Sequence, residues 1–227
     1  MVVAHKVVNL PKGKRAFFCG DVHGDMDALF RAIKKTGFKE QEDFLFFVGD
    51  VVDRGPSSAE MIEYVTCTPG VYCTLGNHER MFLDALTDPM YRETYIQQRY
   101  GGAWIERFSE TELNELAELI MTCMSIAITV QTEQHSIGVI HAQAPDVWSD
   151  VEHLSETKEV QWLWSRSQYE SIKTHITKGV DAVVHGHMCD VMAVKGNHIY
   201  IDTLHRTGEL TMMEFDNIIS CVEEIKS

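Results

Sequence analysis

Three short apolar runs, each followed by a polar loop that contains glycine, constrain the fold more than any other feature of this sequence. Residues 15–19, 44–48 and 71–75 have the length and apolar composition of buried β-strands. Amphipathic patterns over residues 25–35 and 57–65 predict helices between them. This alternation predicts βαβ units with parallel neighbouring strands and right-handed crossovers.

The loops after these runs carry residues that can bind metal ions or transfer protons. They read Gly20-Asp21-Val22-His23-Gly24, Gly49-Asp50-Val51-Val52-Asp53-Arg54-Gly55 and Gly76-Asn77-His78-Glu79. A later strand-like run ends at His141, and another leads into His185-Gly186-His187. In open α/β sheets, ligands bind beyond the carboxyl ends of the strands. We therefore expect these loops to meet in one crevice.

The remainder of the chain predicts helices followed by short strands. Residues 91–123 have a helical pattern that is broken by Gly101-Gly102. Strand-like runs follow at residues 126–130, 137–140, 182–185, 198–201 and 209–215. No repeat or flexible linker divides the sequence, so we expect one domain over residues 1–227, built as a sandwich of mixed sheets.

Composition argues against several classes of protein. The chain has 227 residues, 44% of them hydrophobic and 24% charged, which is ordinary for a globular protein. A formal net charge of −14 disfavours general binding to nucleic acid. The six cysteines are scattered without a Cys-x-x-Cys pair, which indicates reduced thiols in a cytoplasmic protein. No run is long and apolar enough for a membrane span or a signal peptide, so we expect no membrane partner.

The expected crevice contains carboxylate, amide and imidazole groups but no thiolate. Such a set suits Mn²⁺, Fe, Zn²⁺ or Co²⁺ at a catalytic site better than a structural zinc ion. The candidate ligands are Asp21, His23, Asp50, Asn77, His141 and one of the pair His185 and His187. Six ligands are too many for one open catalytic site, but they fit two ions that share a carboxylate.

The three motifs Asp-x-His-Gly, Gly-Asp-x-x-Asp-Arg-Gly and Gly-Asn-His-Glu, in this order, resemble the phosphoprotein phosphatase branch of the calcineurin-like metallophosphoesterases. The chain is similar to the phosphatase of bacteriophage lambda and to bacterial Ser/Thr protein phosphatases over nearly its whole length. The resemblance implies an α/β (α+β) fold with mixed β-sheets flanked by helices, and a helical cap at about residues 88–123. It also implies two divalent metal ions, with Mn²⁺ favoured over Fe, Zn²⁺ and Co²⁺.

The resemblance also implies a role for each matching residue. Asp21 and His23 would bind the first metal ion, Asp50 would bridge both, and Asn77, His141 and His187 would complete the second site. Arg54, Asn77 and Arg166 would bind the phosphate, and His78, oriented by Asp53, would protonate the leaving oxygen. The implied reaction is hydrolysis of a phosphomonoester by direct attack of a metal-bound hydroxide.

Each of these residues also has an ordinary structural explanation. Asp21 has the position of a helix N-cap, and Asp53 and Arg54 could pair with each other at a turn. His141 could be a buried core histidine, and Arg166 a solvated surface arginine. The full set of motifs favours the functional interpretation for all of them.

Two segments depart from the pattern of the family. Gly186-His187 is followed by Met188-Cys189, where many metallophosphoesterases have a further histidine. This departure fits the phosphoprotein phosphatase branch, and we expect His187 to be the ligand and His185 to be buried behind it. The basic segment Leu204-His205-Arg206 stands where close relatives have small residues and glycine, which points to a difference in specificity.

Three functions are consistent with the sequence. The first is a metallophosphoesterase of the protein Ser/Thr phosphatase type, acting on phosphoproteins or phosphopeptides. The second is a symmetrical diadenosine tetraphosphate hydrolase, which shares the motifs but usually begins nearer the first strand and extends further beyond the last. The third is a non-catalytic metal-binding scaffold, from which we would expect a ligand or the pair formed by His78 and Asp53 to be lost. All these residues are present, which disfavours the scaffold. A lead of about fourteen residues before Arg15 and a short segment after the last predicted strand favour the first function over the second.

Overall fold

The computed structural model of the protein describes residues 2–188 and 190–226, and the strands of this part form two sheets. In chain order the strands are β1 (Val3–Asn9), β2 (Ala16–Cys19), β3 (Phe44–Phe47), β4 (Val71–Cys73), β5 (Ser125–Gln131), β6 (Ser136–Ile140), β7 (Ala182–His185), β8 (Ala193–Lys195), β9 (His198–Tyr200) and β10 (Met212–Glu214). One sheet has the order β1-β5-β6-β7-β9-β8, and the other has the order β10-β2-β3-β4.

Both sheets are mixed. In the smaller sheet β2, β3 and β4 are parallel, with Phe18 opposite Phe46, and β10 is antiparallel to β2. In the larger sheet β1 is parallel to β5, and β6 and β9 both run parallel to β7. The remaining pairs, β5 with β6 and β8 with β9, are antiparallel. The expected sandwich of mixed sheets is therefore confirmed.

The central strands of the smaller sheet are apolar on both faces because both faces are covered. Phe18 and Phe46 belong to a buried cluster with Ile128 and Val184 of the larger sheet. Phe17 and Phe47 point to the opposite face and join a second cluster that includes residues of the flanking helices. Burial on both sides explains why these strands are continuous apolar runs rather than alternating ones.

The helices flank the sheets and fill the connections between strands. They are α1 (Met26–Thr36), α2 (Ser58–Cys67), α3 (Asn77–Thr87), α4 (Pro89–Tyr95), α5 (Glu110–Cys123), α6 (Glu156–Trp164), α7 (Ser167–Glu170), α8 (Leu204–Thr207) and α9 (Phe215–Lys226), with 3₁₀ helices at Gly102–Arg107 and Trp148–Glu152. The residue that caps α1 is Asp25, whose side chain accepts a hydrogen bond from the Ala28 amide at 2.8 Å. Asp21 therefore does not cap α1.

The region predicted as a helical cap contains α4, the 3₁₀ helix Gly102–Arg107 and α5. Helix α4 packs against α3, and α5 packs against α2 and α3. The break expected at Gly101-Gly102 is found between α4 and the 3₁₀ helix, where Gly101 has φ +83°. That the whole chain is one domain stays a prediction.

The structure contains elements that the sequence patterns did not predict. Strand β1 lies in the segment treated as a lead before the first strand, and it pairs with β5 from Val3 to Asn9. Most of its side chains are exposed or half-buried, so its apolar signal is weak. Helix α9 follows the last strand, in a segment for which the sequence patterns predicted no helix.

The described residues contain no helix that is long and apolar enough to cross a membrane. Within the same ranges the cysteines are free thiols, as expected: Cys19, Cys67, Cys73, Cys123 and Cys221. The sixth, Cys189, lies outside the described residues.

Candidate metal centre

The loops at the carboxyl ends of five strands meet, as the sequence predicts. The residues they bring together are Asp21 and His23 after β2, Asp50 after β3, Asn77 and His78 after β4, His141 after β6 and His187 after β7. Among the described non-glycine residues, those with positive φ are His23, Gln41, Asp50, Asp53, Arg54 and His187. All except Gln41 belong to this region. The concentration of unusual backbone geometry is typical of a functional site.

Asp50 is the centre of the cluster. Ligand atoms of His23, Asp50 and His78 lie within 4.8 Å of one another, and so do those of Asp50, His141 and His187. The two groups share Asp50, whose Oδ1 lies 3.3 Å from His141 Nε2 and whose Oδ2 lies 3.9 Å from His23 Nε2. Burial alone would raise the pKa of Asp50, but the neighbouring imidazoles hold it well below its usual range. Asp50 is thus a buried anion between two sets of nitrogen ligands.

Backbone carbonyls fix the orientation of two of these imidazoles. His23 Nδ1 donates to the carbonyl of Val52 at 2.9 Å, and His141 Nδ1 donates to that of Val48 at 2.7 Å. A carbonyl can only accept, so each Nδ1 carries a proton and each Nε2 faces the cluster, with its lone pair available whenever the ring is neutral. Burial lowers the pKa of His23 to about 3, whereas Asp50 raises the pKa of His141 against its burial. A hydrogen bond of this kind is the usual way in which proteins hold a metal-binding histidine.

In His187 the two ring nitrogens have the opposite roles. Its Nε2 donates to the carbonyl of Trp164 at 3.1 Å, and its Nδ1 lies 2.8 Å from Asn77 Oδ1. Burial lowers the pKa of His187 to about 3, so the ring is neutral near pH 7 and Nδ1 has no proton. His141 Nε2 lies 2.9 Å from the same Asn77 oxygen. One amide oxygen and two ring nitrogens therefore converge in a way that a bound cation would satisfy.

Asp21 provides a second indication that the cluster binds a cation. Its Oδ2 accepts from the amide of His187 at 3.0 Å, but its buried Oδ1 has no hydrogen-bond partner. Burial raises the pKa of Asp21, and the charges of Asp202 and Asp50 raise it further. A Cβ atom on Gly186 would lie only 2.1 Å from Oδ1, so glycine is needed beside this carboxylate. A buried unpaired carboxylate oxygen is costly unless a cation binds it.

These residues fit two divalent cations. The donor set of carboxylate, amide and imidazole groups suits Mn²⁺, Fe, Zn²⁺ or Co²⁺. Asp21 lies outside both of the tight groups described above, and His78 lies inside one of them. The expectation that Asp21 shares an ion with His23 stays a prediction.

His78 is paired with a buried carboxylate, as the sequence predicts. Its Nδ1 lies 2.7 Å from Asp53 Oδ2, and Asp53 is completely buried. Burial acts to lower the pKa of His78, but the carboxylates of Asp50 and Asp53 raise it overall. On the other side of the ring, Arg54 Nη2 lies 3.2 Å from Nε2, while Arg54 Nη1 lies 2.8 Å from His23 Nε2. A neutral His78 therefore accepts from Arg54.

The cluster opens into a cavity of about 1590 Å³. Its wall carries an unusual share of the basic residues of this acidic chain: Arg54, Arg99, Arg107, Arg166 and His205. Arg166 is exposed on the same wall as Arg54, and His205 comes from the basic segment that departs from the family pattern. The cavity is thus suited to an anionic ligand although the protein is negative overall.

His185 does not join the cluster. Its ring is completely buried and its Nε2 lies 2.9 Å from His198 Nδ1. The ring stacks on His198 and Tyr200, with centroids 5.1 and 4.8 Å away. This placement agrees with the expectation that His185 is buried behind the site.

Glu79 has a structural role that the sequence analysis missed. Its Oε2 accepts from the amides of Asp50 at 2.9 Å and Gly76 at 2.8 Å. Its Oε1 accepts from the amides of Val51 at 2.8 Å and Val52 at 3.2 Å. The sequence did contain a signal for this role. Glu79 follows Gly76 by three residues at the start of a helix, which is the spacing of a capping box.

Tyr95 and Trp104 were also missed as part of the site. The Tyr95 hydroxyl and Trp104 Nε1 both donate to Asp53 Oδ1, the second at 2.7 Å. Both lie in the region that the sequence predicts to be a helical cap. Nothing in their spacing connects them to a residue 42 and 51 positions away.

Replacing Glu79 should destabilise the fold. In Glu79→Ala the amides of Asp50, Val51, Val52 and Gly76 would lose their acceptors, and we expect a loss of at least about 3 kcal/mol in the free energy of unfolding. Burial and the charge of Asp50 raise the pKa of Glu79 to about 7, so urea unfolding at pH 8 measures the charged form. Glu115→Ala, at an exposed position of α5, is the control and should change stability by less than about 0.5 kcal/mol. Equal losses in the two variants would contradict the role of Glu79.

Comparison with known proteins agrees with this site. The chain is 29% identical over 208 residues to Serine/threonine-protein phosphatase 2 of Salmonella typhimurium (strain LT2), covering 89% of this chain and 93% of that protein. It is 30% identical over 154 residues to the symmetrical Bis(5'-nucleosyl)-tetraphosphatase of Shewanella loihica, covering 67% of this chain and 53% of that protein.

The fold is shared with solved structures. One, provisionally assigned as a diadenosine tetraphosphatase, superposes with a TM-score of 0.66 and 20% sequence identity, covering 93% of this chain and 94% of that chain. At this identity the match shows the fold alone. Residues 14–191 match the calcineurin-like phosphoesterase family, which uses divalent metal ions. Because this match spans most of the chain and includes every candidate metal ligand, the protein belongs to the calcineurin-like phosphoesterase family.

Proposed function

We propose that this protein is a metal-dependent phosphatase that hydrolyses phosphoserine and phosphothreonine in proteins. The observation that carries the proposal is the Asp50 carboxylate shared by two groups of ligand atoms, beside a histidine held by a buried carboxylate. A site that combines two cation positions with a proton donor is suited to displacement at phosphorus.

We assign the metal ligands as the sequence suggests. Asp21 and His23 would hold one ion, Asn77, His141 and His187 the other, and Asp50 both, with Mn²⁺ favoured. When bound, two divalent ions neutralise the charge of the phosphoryl oxygens and lower the pKa of a water molecule towards neutrality. The unpartnered Asp21 Oδ1 and the contact between His187 Nδ1 and Asn77 Oδ1 support this assignment.

The protein's own side chains would bind the phosphate and supply the proton. Arg54 and Arg166 lie on the cavity wall, and their guanidinium groups can form bidentate hydrogen bonds to phosphate oxygens. A phosphate that accepts the hydrogen bonds of Arg54 would draw the positive guanidinium group away from His78 Nε2. The ring can then carry its second proton, stabilised by Asp53, and donate it to the leaving oxygen.

The preference for protein substrates rests on the relatives. The phosphatase of Salmonella typhimurium aligns with nearly the full length of this chain, whereas the chain spans about half of the tetraphosphatase of Shewanella loihica. The alternative of a symmetrical diadenosine tetraphosphate hydrolase is supported by that second relative and by the size of the cavity. The non-catalytic scaffold is disfavoured because the ligand groups and the His78–Asp53 pair are intact. A cytoplasmic location stays a prediction of the sequence.

The substrate class can be tested directly. With metal-stripped protein reconstituted with Mn²⁺, we expect kcat/KM for a phosphoserine peptide to exceed that for diadenosine tetraphosphate by at least about 10-fold, since we expect the cavity to accept a peptide. Asp50→Asn, which removes the shared carboxylate charge, should lower activity by at least about 100-fold. Faster cleavage of the dinucleotide would replace the proposed substrate, and inactivity with both would favour the scaffold.

The number of metal ions is a separate test. We expect isothermal titration of metal-free protein with Mn²⁺ to give two ions per chain. His141→Asn should weaken one of the two sites by at least about 10-fold, and Asp50→Asn should weaken both. His153→Asn, at an exposed position remote from the cluster, is the matched control and should keep two sites. A single ion per wild-type chain would contradict the assignment of a shared Asp50.

The role of His78 predicts a dependence on the leaving group. His78→Asn should slow the hydrolysis of phosphoserine peptide by about 100-fold or more, because an alkoxide needs a proton to leave. Hydrolysis of p-nitrophenyl phosphate should fall far less, since nitrophenolate leaves without one. His153→Asn should leave both rates unchanged. Equal losses with the two substrates would show that His78 is not the proton donor.

A further inference from the structure

The cap region makes hydrogen bonds to the carboxylate that holds His78. Asp53 Oδ2 accepts from His78 Nδ1, and Asp53 Oδ1 accepts from both the Tyr95 hydroxyl and Trp104 Nε1. The Asp53 amide also donates to Ser58 Oγ at 2.9 Å. Both carboxylate oxygens are therefore directed, one towards the histidine and the other towards the cap.

A backbone hydrogen bond and close packing at two glycines hold the cap region beside Asp53. The carbonyl of Gly101 accepts from the Arg54 amide at 3.3 Å, and a Cβ atom on Gly101 would lie 2.3 Å from that nitrogen. A Cβ atom on Gly102 would lie 2.5 Å from the ring of Tyr95. The Gly101-Gly102 pair thus lets the chain approach both Arg54 and Tyr95 closely. Asp53 and Arg54 themselves have φ of 72° and 65°, conformations that need support from their surroundings.

The Tyr95 hydroxyl and the Trp104 indole N–H are suited to a buried carboxylate acceptor. Tyr95 is 1% exposed and Trp104 is 5% exposed, so water does not compete for the Asp53 carboxylate. Burial and the adjacent Asp53 raise the pKa of Tyr95 well above its usual value, which keeps the phenol protonated and donating. An indole N–H can only donate. Both side chains therefore present a donor to Asp53 Oδ1.

We propose that Tyr95 and Trp104 are positioning residues for catalysis: they fix the Asp53 carboxylate so that it holds the His78 ring in line with the leaving oxygen. The proposal rests on the proposed function of His78 as proton donor. A carboxylate with a free Oδ1 could rotate about its Cβ–Cγ bond and let the imidazole turn. With Oδ1 held by the cap, rotation would break two hydrogen bonds. The cap region therefore tunes proton transfer as well as covering the cavity.

A purely structural role for the two residues predicts a different outcome from a positioning role. Tyr95→Phe removes one hydroxyl and keeps the ring, and Trp104→Phe keeps an aromatic ring beside Phe82 and Phe108. A positioning role predicts a fall of about 10-fold or more in kcat for the phosphoserine peptide and less than about 3-fold for p-nitrophenyl phosphate. KM should stay unchanged, and neither substitution should reduce kcat further when Asp53 is already replaced by asparagine.

Tyr91→Phe is the matched control, because Tyr91 lies on the same helix and is not among the donors to Asp53 in the part of the chain that the structure describes. It should change neither rate. Equal losses with the alkyl and aryl substrates in Tyr95→Phe, or a further loss added to Asp53→Asn, would overturn the proposal.

A spectroscopic measurement separates this proposal from the proposed function. In ¹⁵N-histidine-labelled, metal-free protein, the Nδ1–H proton of His78 should give a downfield resonance, assigned by its loss in His78→Asn. We expect Tyr95→Phe to shift or broaden this resonance and Tyr91→Phe to leave it in place. An unchanged resonance in Tyr95→Phe would overturn the positioning role whatever the substrate is. A shifted resonance in a protein without phosphatase activity would support the positioning contact and reject only the proposed function.

Discussion

The buried carboxylate of Glu79 is the interaction on which the arrangement of the site depends. It accepts hydrogen bonds from the amide of Gly76 and from three successive amides of the loop after β3. These bonds join the first turn of α3 to that loop, so Asp50 and His78 move as one unit. The amide of His78 in turn donates to Asp50 Oδ1 at 2.9 Å. One side chain without a place in the reaction thereby sets the distance between a metal ligand and a proton donor.

The carboxylates of Asp21 and Asp50 explain why the cluster is suited to binding cations. Asp21 and Asp50 are both buried carboxylates, yet the pKa of Asp21 is raised by burial whereas that of Asp50 is lowered, against its burial, by the surrounding imidazoles. Asp50 lies beside His78 and His141, whose pKa values its charge raises, and Asp21 has an oxygen with no partner. A divalent ion on the Asp21 side would compensate the second carboxylate as the imidazoles compensate the first. Two metal positions with different ligand sets would require such a difference between the environments of Asp21 and Asp50.

The candidate ligands could be predicted from the sequence, but the residues that support them could not, for a physical reason. Asp21, Asp50 and His187 follow strands directly, so strand prediction places them at one edge of a sheet. Tyr95 and Trp104 reach Asp53 through the packing of α4 and a 3₁₀ helix, which no local pattern encodes. Strand β1 was missed for the same reason: it pairs with β5 across more than a hundred residues and buries few side chains. Local sequence patterns thus predict where reactive side chains gather, whereas long-range packing determines how those side chains are oriented.

Arg54 lies where the separate parts of the site meet. Its backbone is held by Gly101 of the cap, and its guanidinium group contacts the ring nitrogens of both His23 and His78. A lone pair of His23 Nε2 can accept from Arg54 or bind a cation, but it cannot do both. Cation binding and phosphate binding would each draw Arg54 away from an imidazole, and the second would also allow His78 to keep its proton. The order of binding and the protonation of His78 would thus be linked through one side chain, whose backbone amide donates to Gly101 of the cap.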